Sequence, residues 1–106
     1  MVARGDVWLI ALDPAIGREI KKTRPGVVIS PNELNKSLET VIVAPMSTRS
    51  LPAPYRVPVA FGGKRGLILL EQLRAVDNQR LVRRVGRLSG KAVTAALNVL
   101  QEMFAD

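Results

Sequence analysis

The sequence predicts a small, mainly β fold: a β-barrel closed over by one C-terminal helix. Three observations carry this. Short β-branched runs follow one another closely, each stopped by proline, glycine or asparagine. Only the last segment shows the 3.6-residue period of an amphipathic helix. A length of 106 residues suits one domain, spanning residues 1–106, and leaves no room for a second.

The elements follow in order. Residues 7–12 are an apolar run that reads as a buried strand, ended by Asp13-Pro14. The polar, basic stretch up to Thr23 reads as a loop. Residues 26–30 form a second strand, stopped by Pro31-Asn32, and a polar loop is expected through Glu39. Residues 40–44, rich in Val and Ile, are the third strand, closed by Pro45. Residues 47–54 hold two prolines and read as a loop. Residues 56–60 form a strand that Pro58, unable to donate to a ladder, pushes to a sheet edge. Gly62-Gly63 marks a turn. Residues 66–73 are strongly apolar and run on into Arg74-Ala75-Val76. A short turn or helical piece over residues 77–82 precedes a strand at 84–88. Ser89 is the expected N-cap of the helix, whose apolar face is Val93, Ala96, Leu97, Leu100 and Phe104.

Composition removes whole classes of function. Hydrophobic residues make up 47% and charged residues 24%, which argues against long-range disorder. There is no cysteine, hence no disulfide, thiolate zinc site or cysteine nucleophile. There is no histidine, which removes the commonest general base and metal ligand. No apolar run approaches the ~18 residues of a membrane span. The first residues carry charge and lead straight into a strand, so no export signal is expected and the cytoplasm is the expected location.

Charge points to a polyanionic partner. Sixteen Lys and Arg against nine Asp and Glu give a net charge of +7. Residues 78–101 hold no acid but contain Arg80, Arg83, Arg84, Arg87 and Lys91, and a second cluster is Arg18, Lys21, Lys22 and Arg24. The aromatics are Trp8, Tyr55, Phe61 and Phe104, too scattered to build a base-stacking platform.

The remaining chemistry rests on Arg, Lys, hydroxyls, carboxylates and amides. No DxD or ExxE cluster offers a magnesium site, and no phosphate-binding glycine loop is present. Three polar positions sit at strand ends or within apolar runs. Arg24 is held extended by Pro25. Ser47 and Thr48 follow the third strand. Gln72 lies in an apolar run, where its amide needs partners. Taken singly, each also suits a surface arginine, a turn residue or a loop-satisfying amide.

Several short pieces together resemble the MazF/PemK family of toxin endoribonucleases. They are Arg4-Gly5-Asp6-Val7-Trp8, Asp13-Pro14, Gly17-x-Glu19, Arg24-Pro25, Val41-Ile42-Val43-Ala44-Pro45 and Glu71-Gln72-Leu73-Arg74. Arg80-Leu81, Val85-Gly86-Arg87-Leu88-Ser89 and the terminal helix continue the match over essentially the whole chain. The resemblance implies an SH3-like small β-barrel, a homodimer, and metal-independent cleavage of single-stranded RNA with no cofactor. It also implies inhibition by an acidic, MazE-like antitoxin.

The resemblance places the family's arginine at Arg24 and its hydroxyl, usually threonine, at Ser47, with Thr48 adjacent as the alternative. Glu19 falls in the loop over the RNA site and Gln72 on the site floor. Lys21, Lys22, Arg80 and Arg87 are the expected supporting cations. Two departures stand out: Lys22 where many members have glycine, and Glu71 where aspartate is usual. The mechanism implied is attack of the ribose 2′-OH on the adjacent phosphorus. Arg24 then stabilises phosphate charge and can act as acid toward the leaving oxygen, and Ser47 positions the phosphate or the 2′-OH. Glu19 is the alternative for base. A competing reading is a non-catalytic gyrase inhibitor of the same fold, like the CcdB family. Those proteins depend on an aromatic C-terminal end and lack the Arg-Pro and Gln pattern. A basic nucleic-acid-binding module without chemistry is the third.

Overall fold

The computed structural model describes residues 1–11 and 23–106. The Asp13-Pro14 turn and the basic stretch carrying Glu19, Lys21 and Lys22 lie outside the described residues. The elements are β1 (Asp6–Ala11), β2 (Thr23–Val28), α1 (Asn32–Ser37), β3 (Thr40–Ser47), β4 (Arg56–Phe61), β5 (Lys64–Leu69), β6 (Arg74–Asp77), β7 (Leu81–Arg87) and α2 (Gly90–Met103). Two 3-10 turns, Leu70–Gln72 and Asn78–Arg80, flank β6.

All the strand pairs are antiparallel. The sheet runs β4-β5-β3-β2-β1-β7, and β6 pairs with β3 beside β5. The ends of this path come back together. A Cβ added at Gly86 on β7 would lie 2.7 Å from the Phe61 ring on β4, so only glycine lets that ring close over β7. The result is a curled half-barrel with α2 laid against it.

Both faces of the central strands are buried, which is why their sequences read as continuous apolar runs. Val7, Val27, Ala44 and Met46 point to one face and pack with Ile68, Leu70 and the α2 residues Ala96, Leu97 and Leu100. Ile10, Val28, Val41, Val43 and Val76 point to the other and pack with Val2, Trp8 and Leu81. Gly26 belongs to this second face. A Cβ there would meet Ile10 Cδ1 at 2.6 Å and the Ala44 carbonyl oxygen at 3.2 Å.

Several expectations hold. The strand at residues 56–60 is β4, at the end of the sheet path as Pro58 requires. Gly62-Gly63 is the β4–β5 turn, with both glycines at positive φ. Ser89 Oγ caps α2 by accepting from Ala92 N–H at 3.1 Å.

Others are corrected. The stretch expected as a loop after Asn32 contains α1. Six residues are too few to show a period, and tertiary bonds support this helix. Its Asn35 is buried, bonded to the Ser30 hydroxyl and carbonyl. The third strand does not close at Pro45 but continues to Ser47. The second begins earlier, at Thr23. The apolar run from Gly66 is not one strand, because the turn Leu70–Gln72 divides it into β5 and β6. Phe104 lies beyond the last turn of α2 and is 73% exposed. Met103 packs on the core instead.

Two predictions follow from this packing. Gly26→Ala should destabilise the fold by about 1–3 kcal/mol, because the added methyl is driven into a closed core. The loss should shrink in an Ile10→Val background, which removes the clashing Cδ1. Chemical denaturation of the four proteins checks this, and an unchanged midpoint for Gly26→Ala would refute it. The second concerns Glu71, whose carboxyl is held below the usual range by the Arg56 guanidinium, 2.7 Å away. A lowered folded pKa means the stabilisation is full above the unfolded value, about 4.3. It is lost as pH falls through the folded one. The pair is partly exposed, so Glu71→Gln should cost less than about 1 kcal/mol at pH 7. That gap should narrow as pH falls below the unfolded value in parallel urea titrations.

Candidate functional site

Two prolines decide where the sheet opens. Hydrogen-bonded pairs alternate along an antiparallel ladder. Ile29 N–H donates to the Ile42 carbonyl at 2.8 Å. Counting by twos from that pair, the main chain of Pro25 and Val27 faces β3, and that of Ala44 and Met46 faces β2. Val43 and Pro45 face the outer edge of β3. Pro25 has no proton to give where the next β2–β3 bond would form, and the pairing ends one residue earlier, with Gly26 opposite Pro45. Pro45 lacks its proton on the outer edge. There β6 pairs as far as Val43 opposite Arg74, and β5 takes over at Met46 opposite Ile68. The turn Leu70–Gln72 spans the gap between them.

Continued by two residues, the β2–β3 register sets Arg24 opposite Ser47. Directly opposed residues share a face of the sheet. No ladder ties the two strands at that point, and two cavities meet there. One is an open groove of about 1140 Å³, and the other is a smaller cavity of about 450 Å³. Arg24, Met46 and Ser47 line both. The pleat separates the two spaces. Leu9, Pro25 and Met46 carry the groove on the face that α2 covers further along, whereas Pro45 and Arg74 carry the smaller cavity on the other.

The groove wall carries Arg24, Arg49, Lys64 and Arg83, and the smaller cavity carries Arg24 and Arg74. No carboxylate lines either among the described residues. The nearby acid Glu71 is taken up by Arg56, whose Nη1 also donates to the Leu51 carbonyl at 2.9 Å. The described residues of the site therefore present a field of one sign, suited to an anion.

Ser47 is held by the turn that follows it. Its Oγ accepts from Arg49 N–H and Ser50 N–H, each at 3.1 Å, and lies 2.9 Å from the Ser50 hydroxyl. An oxygen so fully used as acceptor has its own proton left to give, so it meets a ligand as a donor. Arg24 is exposed and presents a planar fork of donors to the same space.

Of the residues singled out in the sequence, Arg24, Ser47, Thr48 and Gln72 come together here. Thr48 lines only the groove, and Gln72 only the smaller cavity. Arg80 lines neither; its Nη1 donates to the Ala11 carbonyl at 2.9 Å, steadying the end of β1 beside Thr23. Arg87 is also elsewhere. Its Nε stands 3.3 Å from buried Asp6, at the opposite end of β1 from Arg24. Glu19, Lys21 and Lys22 fall outside the described residues. Sequence reasoning did not single out Arg49, Ser50, Lys64 and Arg74 for the site. Arg49 and Lys64 look like ordinary loop charges in the sequence, and only folding brings them to one groove.

Comparison with known proteins agrees with this architecture. The family model described as "PemK-like, MazF-like toxin of type II toxin-antitoxin system" matches residues 3–104. Over 111 aligned positions the chain is 33% identical to endoribonuclease EndoA of Bacillus subtilis (strain 168), covering 99% of this chain and 96% of that one. Its fold is that of MazF from Deinococcus radiodurans, with a TM-score of 0.79 at 20% identity over 96% of this chain and 94% of that one. MazF in a MazE–MazF complex of the same organism gives a TM-score of 0.83 at 20% identity, again over 96% and 94%. A mycobacterial endoribonuclease in complex with its cognate antitoxin gives 0.80 at 16% identity, over 96% and 93%. The chain belongs to the PemK-like, MazF-like family of toxins of type II toxin–antitoxin systems.

Proposed function

We propose that residues 1–106 form a single endoribonuclease domain, the toxin of its pair, which cleaves single-stranded RNA by 2′-OH transesterification. The observation that carries this is the meeting of Arg24 and Ser47 in the wall shared by two cation-lined cavities. A relative 33% identical over nearly the whole chain is named an endoribonuclease, which supports the reading. The family match does not favour the gyrase-inhibitor alternative.

In this mechanism the nucleophile belongs to the substrate, already held beside the phosphorus. The 2′-oxygen bonds to phosphorus as its proton passes to the base, the bond to the 5′-oxygen breaks, and that oxygen takes a proton from Arg24 as acid. Arg24 spans two phosphate oxygens and stabilises the charge that grows on them. Ser47 donates to a phosphate oxygen from a hydroxyl fixed by the 48–50 turn. Arg49, Lys64 and Arg83 hold the flanking backbone in the groove. Glu19, outside the described residues, is the alternative for base.

The partners proposed are single-stranded RNA, a second copy of the chain, and an acidic antitoxin that competes for the same cations. Antitoxin complexes of the Deinococcus and mycobacterial relatives support the last. Among the described residues no helix is long and apolar enough to cross a membrane. The proposed location is the cytoplasm.

Arg24→Ala should lower kcat on a defined RNA by about 10²-fold or more while the protein stays folded. Arg24→Lys should also be poor, because an ammonium cannot present the planar fork. Ser47→Ala should be slow and Ser47→Thr active, since only the latter keeps the donor. Near-normal cutting by folded Arg24→Ala would remove that residue from the reaction.

The chemistry has its own test. Cutting should persist in EDTA. The upstream product should end in a 2′,3′-cyclic phosphate or its 3′-phosphate hydrolysis product, and the downstream one in a 5′-OH. An RNA with a single 2′-deoxy sugar just upstream of the cut should bind and stay whole. A 5′-phosphate on the downstream product would mean that a water attacks.

A further inference from the structure

Ser50 reads in the sequence as an ordinary loop residue, but the fold anchors it from two sides. Its own N–H donates to Ser47 Oγ at 3.1 Å, and the carbonyl of the next residue, Leu51, accepts from Arg56 Nη1 at 2.9 Å. Arg56 in turn pairs with Glu71, on the turn between β5 and β6. The main chain before and after the Ser50 side chain is therefore fixed. That side chain is half-buried and lines the smaller cavity together with Arg24, Ser47 and Arg74.

The Ser47 and Ser50 hydroxyl oxygens lie 2.9 Å apart, a hydrogen-bond distance. Which serine supplies the hydrogen follows from counting. A hydroxyl oxygen has two lone pairs and one proton. Ser47 Oγ already accepts from Arg49 N–H and Ser50 N–H. Its acceptor capacity is spent, so the hydrogen between the two oxygens is its own, and Ser50 Oγ accepts it. Ser50 then has its own proton left to give. The two main-chain N–H groups, Ser47 and Ser50 thus form a chain of donors that ends at the smaller cavity. Hydrogen bonds in series polarise one another, so the last O–H is a stronger donor than that of an isolated serine.

We infer that Ser50 is a further residue of the reaction site: its hydroxyl donates to an oxygen of the scissile phosphate, as one unit with the hydroxyl of Ser47. The inference rests on the ribonuclease reading of Arg24 and Ser47 and adds a contact to it. Arg24 and Ser47 line both cavities, so a phosphate held by them sits at the shared wall, and Ser50 meets it from the side of the smaller cavity. When Ser47 turns its proton from Ser50 to a phosphate oxygen, Ser50 still has its own to give. Both donations strengthen as charge grows on the phosphate oxygens, which favours the transition state over the bound substrate.

The test measures single-turnover cleavage of a defined RNA by full-length wild type, Ser50→Ala, Ser50→Thr, Ser47→Ala and the double variant Ser47→Ala/Ser50→Ala. Ser50→Ala keeps the main-chain N–H that holds Ser47, so its thermal melting should match wild type. Its cleavage rate should fall about tenfold, less than the ~10²-fold of a lone oxyanion donor, because Arg24 and Ser47 remain. Binding of the RNA with a single 2′-deoxy sugar should stay close to wild type. Ser50→Thr keeps the hydroxyl and should cut at near the wild-type rate. In the Ser47→Ala background, removing the Ser50 hydroxyl should cost less than about threefold, because the chain that polarises it is already broken. Cutting by Ser50→Ala at the wild-type rate would overturn the inference. So would an equal loss in both backgrounds, or a Ser50→Thr protein as slow as Ser50→Ala. In each of these cases wild type still cuts and the ribonuclease reading stands. A wild-type protein that leaves the RNA whole would remove that reading, and this inference with it.

Discussion

Pro25 and Pro45 have no main-chain proton, and the absence falls on the two edges where the sheet has to part. On β2 it faces β3, so the ladder that pairs Gly26 with Pro45 goes no further. On β3 it faces β5 and β6, so that edge tolerates a break spanned by Leu70–Gln72. A proline at such a place leaves no donor unsatisfied, whereas any other residue would present one to be paired or buried. Arg24, Ser47 and Gln72 reach the site because of these two gaps. Arg24 precedes the first proline, Ser47 lies two residues past the second, and Gln72 sits on the turn opposite it.

The cations of the chain divide by the same logic of edges and faces. β7 carries Arg83, Arg84 and Arg87, but the strand is bulged against β1, and its partners decide what each does. Arg83 lies opposite Leu9 and lines the groove beside it. Arg84 and Arg87 lie opposite Trp8 and Asp6, one face over, and their Nε atoms stand 3.4 and 3.3 Å from the Asp6 carboxylate. A buried carboxylate is costly unless paired, and Asp6 is 1% exposed, so those two arginines serve the fold. Arg80 steadies the end of β1. The excess positive charge is thus not spread evenly toward substrate. It reaches the groove from β2, β5, β7 and the loop after β3.

Ser47 shows how a small residue becomes specialised. A serine after a strand usually closes a turn, and this one does, accepting from two main-chain N–H groups. The same two bonds occupy both lone pairs of its oxygen and leave its proton to give. The turn that holds the residue also sets its chemistry, since it consumes the acceptor capacity and leaves the donor for a ligand.

The sequence by itself determined the class of fold, the edge position of β4, the cap at Ser89 and the pairing of Arg24 with Pro25. Each depends on local chemistry: β-branched runs, a missing N–H, a side-chain oxygen before a helix, a restricted φ. The exclusion of histidine and cysteine chemistry was equally legible, being composition alone. The family pattern further singled out Ser47 and Gln72, although as isolated residues they look like a turn and a loop contact. The tertiary structure alone decided that β3 runs through Pro45, because only the partner strands reveal which way its missing proton faces. It also decided that Arg49, Lys64 and Arg74 line the two cavities, whereas Arg80 and Arg87 line neither. Charge is visible along a chain, but which face it occupies follows from register and bulges, and those are fixed by contacts between residues far apart in sequence.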